Sequence, residues 1–245
     1  SEKDEVTRRI RELLKEAEET NREAIERIKR LLDRVREAVE EVAKRSEELL
    51  RRLKKVLDRG LQDDEALLKL LIDALREHNR LSTELIKILI DVLRTILKII
   101  KDVLATNIEI ARRILDLVRR LAERGGLDDR LVKEVEKLVR TAERLHRDAL
   151  RKVKRLVEEL EKRLRELVKT DHDLVRRLET LLRRGSGSKE DLLREIARIL
   201  AESLRLIREL LKEIEKIVKE IIELLERLND ELRKIIEAIL ETTKK

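Results

Sequence analysis

Few residues of this sequence could do chemistry. It holds three histidines, no cysteine and no tyrosine. His146 closes a Glu-x-x-His pair with Glu143 in the stretch TAERLHRDA. Residues at i and i+3 share a helix face, and Glu-x-x-His is how di-iron four-helix bundles present two of their ligands. His78, Asp171 and either Ser46 or Ser203 are the residue types of a nucleophilic triad. His78, His172 and Asp171 offer two imidazoles and a carboxylate, a recognised metal-binding set.

Spacing argues against each of these chemistries. A di-metal carboxylate bundle needs a second Glu-x-x-His and two further glutamates at the same level. Three residues before His78 stands Leu75, and three before His172 stands Lys169, so only His146 has the motif. Glu143 falls at the edge of its apolar stripe, where a solvated glutamate belongs. His172 follows Asp171 directly, which turns it about 100° round the helix. A triad would also need a cleft and oxyanion donors, and neither exists where every backbone N–H belongs to a helix. The expectation is therefore no catalytic residue, no metal ligand, no cofactor and no enzyme.

The elements that carry these residues are legible from the glycines. All five lie at three places: Gly60, Gly125–Gly126, and Gly185 with Gly187. Basic residues precede each place (Arg59, Arg124, Arg183–Arg184), as suits a helix C-terminus. Acids and a serine follow each place (Asp63–Asp64–Glu65, Asp128–Asp129, Ser188–Lys189–Glu190–Asp191), as suits a helix start. The breaks predict helices over 4–58, 64–122, 128–183 and 189–242, joined by two compact turns and a GSGS linker at 185–188. Each spans about 55 residues, or ~80 Å at the rise of an α-helix. Helices so long need continuous partners.

Their apolar pattern supplies those partners. In the first helix the stripe runs Val6, Ile10, Leu13, Ala17, Asn21, Ala24, Ile28, Leu31, Val35, in alternating steps of three and four. In the third it runs Val135, Leu138, Ala142, His146, Ala149, Val153, Leu156. Such steps make the seam of left-handed bundle packing. The second and fourth helices have wider apolar faces, with Ile88, Ile90, Leu97 and Leu104 on one and Ile199, Leu206, Ile217 and Leu224 on the other. Short turns force antiparallel neighbours. The fold expected is an all-α, up-down-up-down four-helix bundle, 1–245 forming one domain. Its wide faces either meet across the short diagonal or bind another chain.

Polar residues interrupt the stripes. Folding the chain at its turns gathers them into two layers. Ser46, His78, Ser82, Asp171 and Ser203 form one. Asn107, His146 and Asn229 form the other, with Asn21 assigned to it on a looser register, nearly a heptad from Asn107. Buried polar groups are costly unless hydrogen-bonded, whereas a connected network is tolerable and penalises wrong registers. The histidines are read as network members. His146, among neutral partners, is expected to hold its proton weakly, because burial disfavours charge.

Composition agrees with an idealised core. The chain has no Phe, Trp, Tyr, Met, Cys or Pro, and 47% of its residues are charged. With 61 basic and 54 acidic residues interspersed, the net charge of +7 makes no concentrated basic face. No aromatic side chain is present to stack on bases, so nucleic-acid binding is not expected. Charges break every apolar run, so no membrane span is expected. No targeting segment is legible, and the opening Ser1 suggests a trimmed expression product; localisation is left open.

In the EHNRLSTELIKILIDVLRTILKII style of the second helix, its idealised turns and its GSGS connector, the whole chain resembles computationally designed helical bundles with buried hydrogen-bond networks. That family includes designed heterodimers and cage-and-latch switches. The resemblance implies a de novo protein without natural activity. The chain is read as a water-soluble scaffold, monomeric and needing no partner, with a homo-oligomer or a designed helical partner as the other possibilities. The alternative is an association or switch module in which residues 189–245, or the wide faces, bind another helix or chain.

Overall fold

The computed structural model describes residues 1–59, 64–184 and 189–244. Four helices run α1 (Glu2–Arg59), α2 (Asp64–Glu123), α3 (Asp129–Arg184) and α4 (Lys189–Lys244). Among the described residues there is no strand. Among the described residues no helix is long and apolar enough to cross a membrane. The expected connector at 185–188 and the turn at Gly60 lie outside the described residues.

Two helix boundaries can be traced to side-chain chemistry. The Ser1 hydroxyl accepts from the Asp4 amide at 3.3 Å and donates to Asp4 Oδ2 at 3.0 Å. This cap satisfies an otherwise open donor and starts α1 at Glu2, two residues before the expected 4. Between α2 and α3, the Gly126 amide bonds Leu121 O at 2.9 Å and the Gly125 amide bonds Ala122 O at 3.0 Å. That crossed pair is a Schellman ending, with Gly125 left-handed at φ 76°. Asp128 then caps α3: its Oδ1 accepts from the Arg130 amide at 3.4 Å and its carbonyl from the Leu131 amide at 3.0 Å.

The packing divides into two compact units, each built from a segment of all four helices. One comprises Ser1–Arg30, Thr95–Val157 and Ile217–Lys245; the other comprises Leu31–Arg94 and Glu158–Lys216. In the first, Arg112–Glu143 and Arg119–Glu136 join α2 to α3, and Glu18–Arg233 joins α1 to α4. In the second, Arg36–Glu215 and Arg208–Glu47 join α1 to α4, Arg94–Glu161 joins α2 to α3, and Arg163–Glu213 joins α3 to α4. In each repeated pairing, rising numbers on one helix meet falling numbers on the other. The neighbours are therefore antiparallel, and the fold is an all-α four-helix bundle.

Aliphatic burial holds each unit. Ile10, Ile114, Val118 and Val135 centre one core, and Leu75, Ile196 and Leu200 the other, all at 0% exposure. A fully buried aliphatic side chain contributes about 1.5–3 kcal/mol, against about 0–1 kcal/mol for an exposed ion pair. The ion pairs mark which helices are neighbours; the core supplies most of the stability. Among residues whose side chains are described, every Leu, Ile and Val is buried or half-buried.

The stripes differ from expectation in detail. Leu31, Leu138 and Leu156 are half-buried, and the next residues, Leu32, Val139 and Val157, take the interior positions. A straight α-helix drifts about 20° per heptad against a strict 3.5 repeat, so the following residue rotates inward. On the wide faces Leu104 is buried, while Ile88, Ile90, Leu97, Ile199, Leu206, Ile217 and Leu224 are half-buried.

Candidate functional site: two buried polar clusters

In the second unit, α2 delivers His78, α3 Asp171 and α4 Ser203. Their exposures are 1%, 9% and 6%. His78 Nε2 lies 3.3 Å from Asp171 Oδ1 and 3.0 Å from Ser203 Oγ, and the Ser203 hydroxyl donates to Asp171 Oδ1 at 3.2 Å. The three atoms form a closed triangle. With Nε2 protonated, the ring donates into it and the hydroxyl donates a hydrogen bond to the carboxylate. The His78–Ser203 contact joins α2 directly to α4. Burial pushes the Asp171 carboxyl up, but the His78 hydrogen bond and charge, the Ser203 hydroxyl and the nearby His172 together bring it below its ordinary value.

This triangle differs in geometry from a catalytic triad. A triad places the serine on one ring nitrogen and the carboxylate on the other. Here both oxygens crowd Nε2, while His78 Nδ1 has no hydrogen-bond partner. The serine already donates to the carboxylate and lies inside a packed unit.

Two expected members stand outside the triangle. Ser46 is fully buried and Ser82 is 5% exposed, yet neither hydroxyl has a hydrogen-bond partner in the protein. Their levels were legible, but a short serine side chain reaches a partner only when its direction also matches. His172 is half-buried at the flank, and acts on Asp171 through charge alone.

In the first unit the hub is Asn21 on α1. Its amide donates to Asn229 Oδ1 on α4 at 2.8 Å, and its carbonyl oxygen accepts from Asn107 Nδ2 on α2 at 3.0 Å. The residue assigned on the loosest register is thus the centre of the cluster. Side chains lean toward their own helix N-terminus, so antiparallel partners meet at offsets that folding at the turn does not capture.

His146 corrects the grouping. It is 2% exposed but shows no side-chain bond to Asn107 or Asn229; its Nδ1 bonds the Ala142 carbonyl of its own helix at 2.7 Å. A carbonyl only accepts, so Nδ1 carries the proton and Nε2, which has no partner, is a buried lone pair. Burial lowers the His146 pKa from 6.5, and the Ala142 bond opposes this weakly. Glu143 turns instead to Arg112 Nε at 3.0 Å. Among the described residues no group of three or more His, Asp or Glu could hold a metal ion.

Two buried polar residues were not anticipated. Thr242 donates to Ala238 O and Thr243 to Leu240 O, so each is satisfied within α4. The continuing spacing from Ile235 and Ile239 was the available signal. Neither a protein-family model nor a curated protein matches the sequence.

Proposed function

We propose that this chain is a designed structural scaffold, and that its two buried polar clusters act to select which helices pair and in what register. The observation that carries the reading is the Asn21 hub, which joins α1, α2 and α4 through two side-chain bonds inside an aliphatic core. An aliphatic core alone is indifferent to small slips. A buried amide is not, because each slip leaves donors and acceptors without water or partners. The aromatic-free, proline-free composition and the resemblance to designed network bundles support the design origin. No described Leu, Ile or Val side chain is fully exposed, which favours a self-sufficient chain over an association module.

The test replaces Asn21, Asn107 and Asn229 together with leucine. Light scattering on a sizing column and the number of amide resonances are then compared with the parent chain. The parent is expected at one mass near 29.1 kDa. The triple variant is expected to be at least as stable, but to show mixed masses or multiplied resonances. A triple variant with the parent's single mass and single resonance set would refute the selecting role. A parent mass near twice the chain's would favour the association module.

A further inference from the structure

A cavity in the second unit, beside the His78 triangle, is lined by Ser82, Thr170, Asp171 and Ser203 together with aliphatic residues that include Leu85 and Leu206. Two of its lining residues carry buried polar atoms without a partner in the protein: Ser82 Oγ and Asp171 Oδ2. Both residues are at least nine-tenths buried. An unpartnered carboxylate oxygen in such a place is unfavourable, since the charge is desolvated and only Oδ1 receives hydrogen bonds.

The size of the cavity selects its occupant. The space in which a water-sized centre can lie is about 20 Å³. One water needs about 10–15 Å³ of such space, so an organic ligand is too large. The walls are also too apolar for a hydrated cation, and the Thr170 hydroxyl is already donated to Glu166 O at 3.0 Å. What remains is one neutral molecule able to donate to a carboxylate oxygen and to exchange a hydrogen bond with a hydroxyl.

We infer that this cavity is a binding site for a single structural water, which donates to Asp171 Oδ2 and hydrogen-bonds Ser82 Oγ. The water brings Ser82 into the cluster through a bridge. It also gives the Asp171 carboxylate a donor on each oxygen. The inference stands apart from the scaffold reading, because it concerns the occupancy of one cavity and not the selection of helix partners.

Oxygen-17 relaxation dispersion counts waters held inside a protein for longer than the molecule tumbles. The parent chain and Ser82→Val are compared, the latter removing the hydroxyl and filling part of the space. The amplitude is expected to fall by one long-lived water in the variant, with its helical circular dichroism unchanged. Equal amplitudes in two folded proteins would overturn the inference. Should Ser82→Val fail to fold, a crystal structure of the parent at about 1.5 Å decides: a water peak within hydrogen-bond distance of both atoms upholds the site, and a dry cavity rejects it.

Discussion

Glu143 and His146 stand one helical turn apart on α3 and serve different neighbours. The carboxylate reaches across to Arg112 on α2 at 3.0 Å, and the imidazole bonds back to Ala142 O at 2.7 Å. A ligand pair must converge on one point; this pair is held apart by two separate bonds. Zinc or ferrous iron added at one equivalent, followed by desalting and elemental analysis, is expected to leave less than about a tenth of an equivalent bound. A retained equivalent that disappears in His146→Ala would contradict the divergence.

The asparagines should differ in cost. Asn21→Ala strands the Asn107 amide, which is 1% exposed, and loosens Asn229 as well. Each stranded buried group costs about 1–3 kcal/mol, so a loss of about 2–4 kcal/mol is expected in guanidinium unfolding. Asn229→Ala strands the buried Asn21 amide but leaves the Asn21–Asn107 bond in place, so it should cost about 1–3 kcal/mol, less than Asn21→Ala. Equal costs at the two positions would show that Asn21 is no hub.

Acid should weaken the fold through two groups acting in the same direction. The folded pKa of His146 lies below 6.5 and that of Asp171 below 3.8. A depressed folded pKa means the unfolded chain takes up the proton first. The His146 contribution is therefore full above pH 6.5 and declines as pH falls from there through the folded value; the Asp171 contribution declines below pH 3.8. His146→Leu should flatten the unfolding midpoint between pH 6.5 and 5 while leaving the lower decline. Nitrogen-15 shifts at neutral pH should also show His146 as the tautomer protonated at Nδ1. A midpoint that rises on acidification would reverse the sign argued here.

The ending of α2 offers a backbone test. Gly125→Ala places a side chain at φ 76° with no atom within 4 Å, so its cost is conformational, about 1–2 kcal/mol. Gly126→Ala would place Cβ 2.6 Å from Leu121 Cδ1 and 3.0 Å from Leu121 O. Because a backbone oxygen yields less readily than a leucine tip, Gly126→Ala is expected to be the more damaging. Thermal midpoints of the two variants check the order.

What could be read in advance followed the reach of each signal. Glycine, flanking basic residues and capping acids act within a few residues, so the α2–α3 junction at Gly125–Asp128 was legible almost to the residue. Periodicity placed Asn21, Ser46, His78, Ser82, Asn107, His146, Asp171 and Ser203 inside. It could not say which of them touch. The His78–Asp171–Ser203 contact came through because all three faced inward at one level. Ser46 shared that level and missed, since a hydroxyl on a short stem must also point the right way. His146 was misjudged because an imidazole on a helix has a partner one turn behind it, and a local bond competes with any distant one.

Each cluster omits one helix. Asn21, Asn107 and Asn229 join α1, α2 and α4, whereas His78, Asp171 and Ser203 join α2, α3 and α4. Helices α1 and α3 carry the narrow aliphatic stripes, so aliphatic packing alone separates them less sharply than the polar residues do. They are distinguished by chemistry: α1 offers an amide and α3 a carboxylate. A chain in which the two exchanged places would set a charge against asparagines and an amide against an imidazole. On the proposed selecting role, these different side chains would tell α1 and α3 apart.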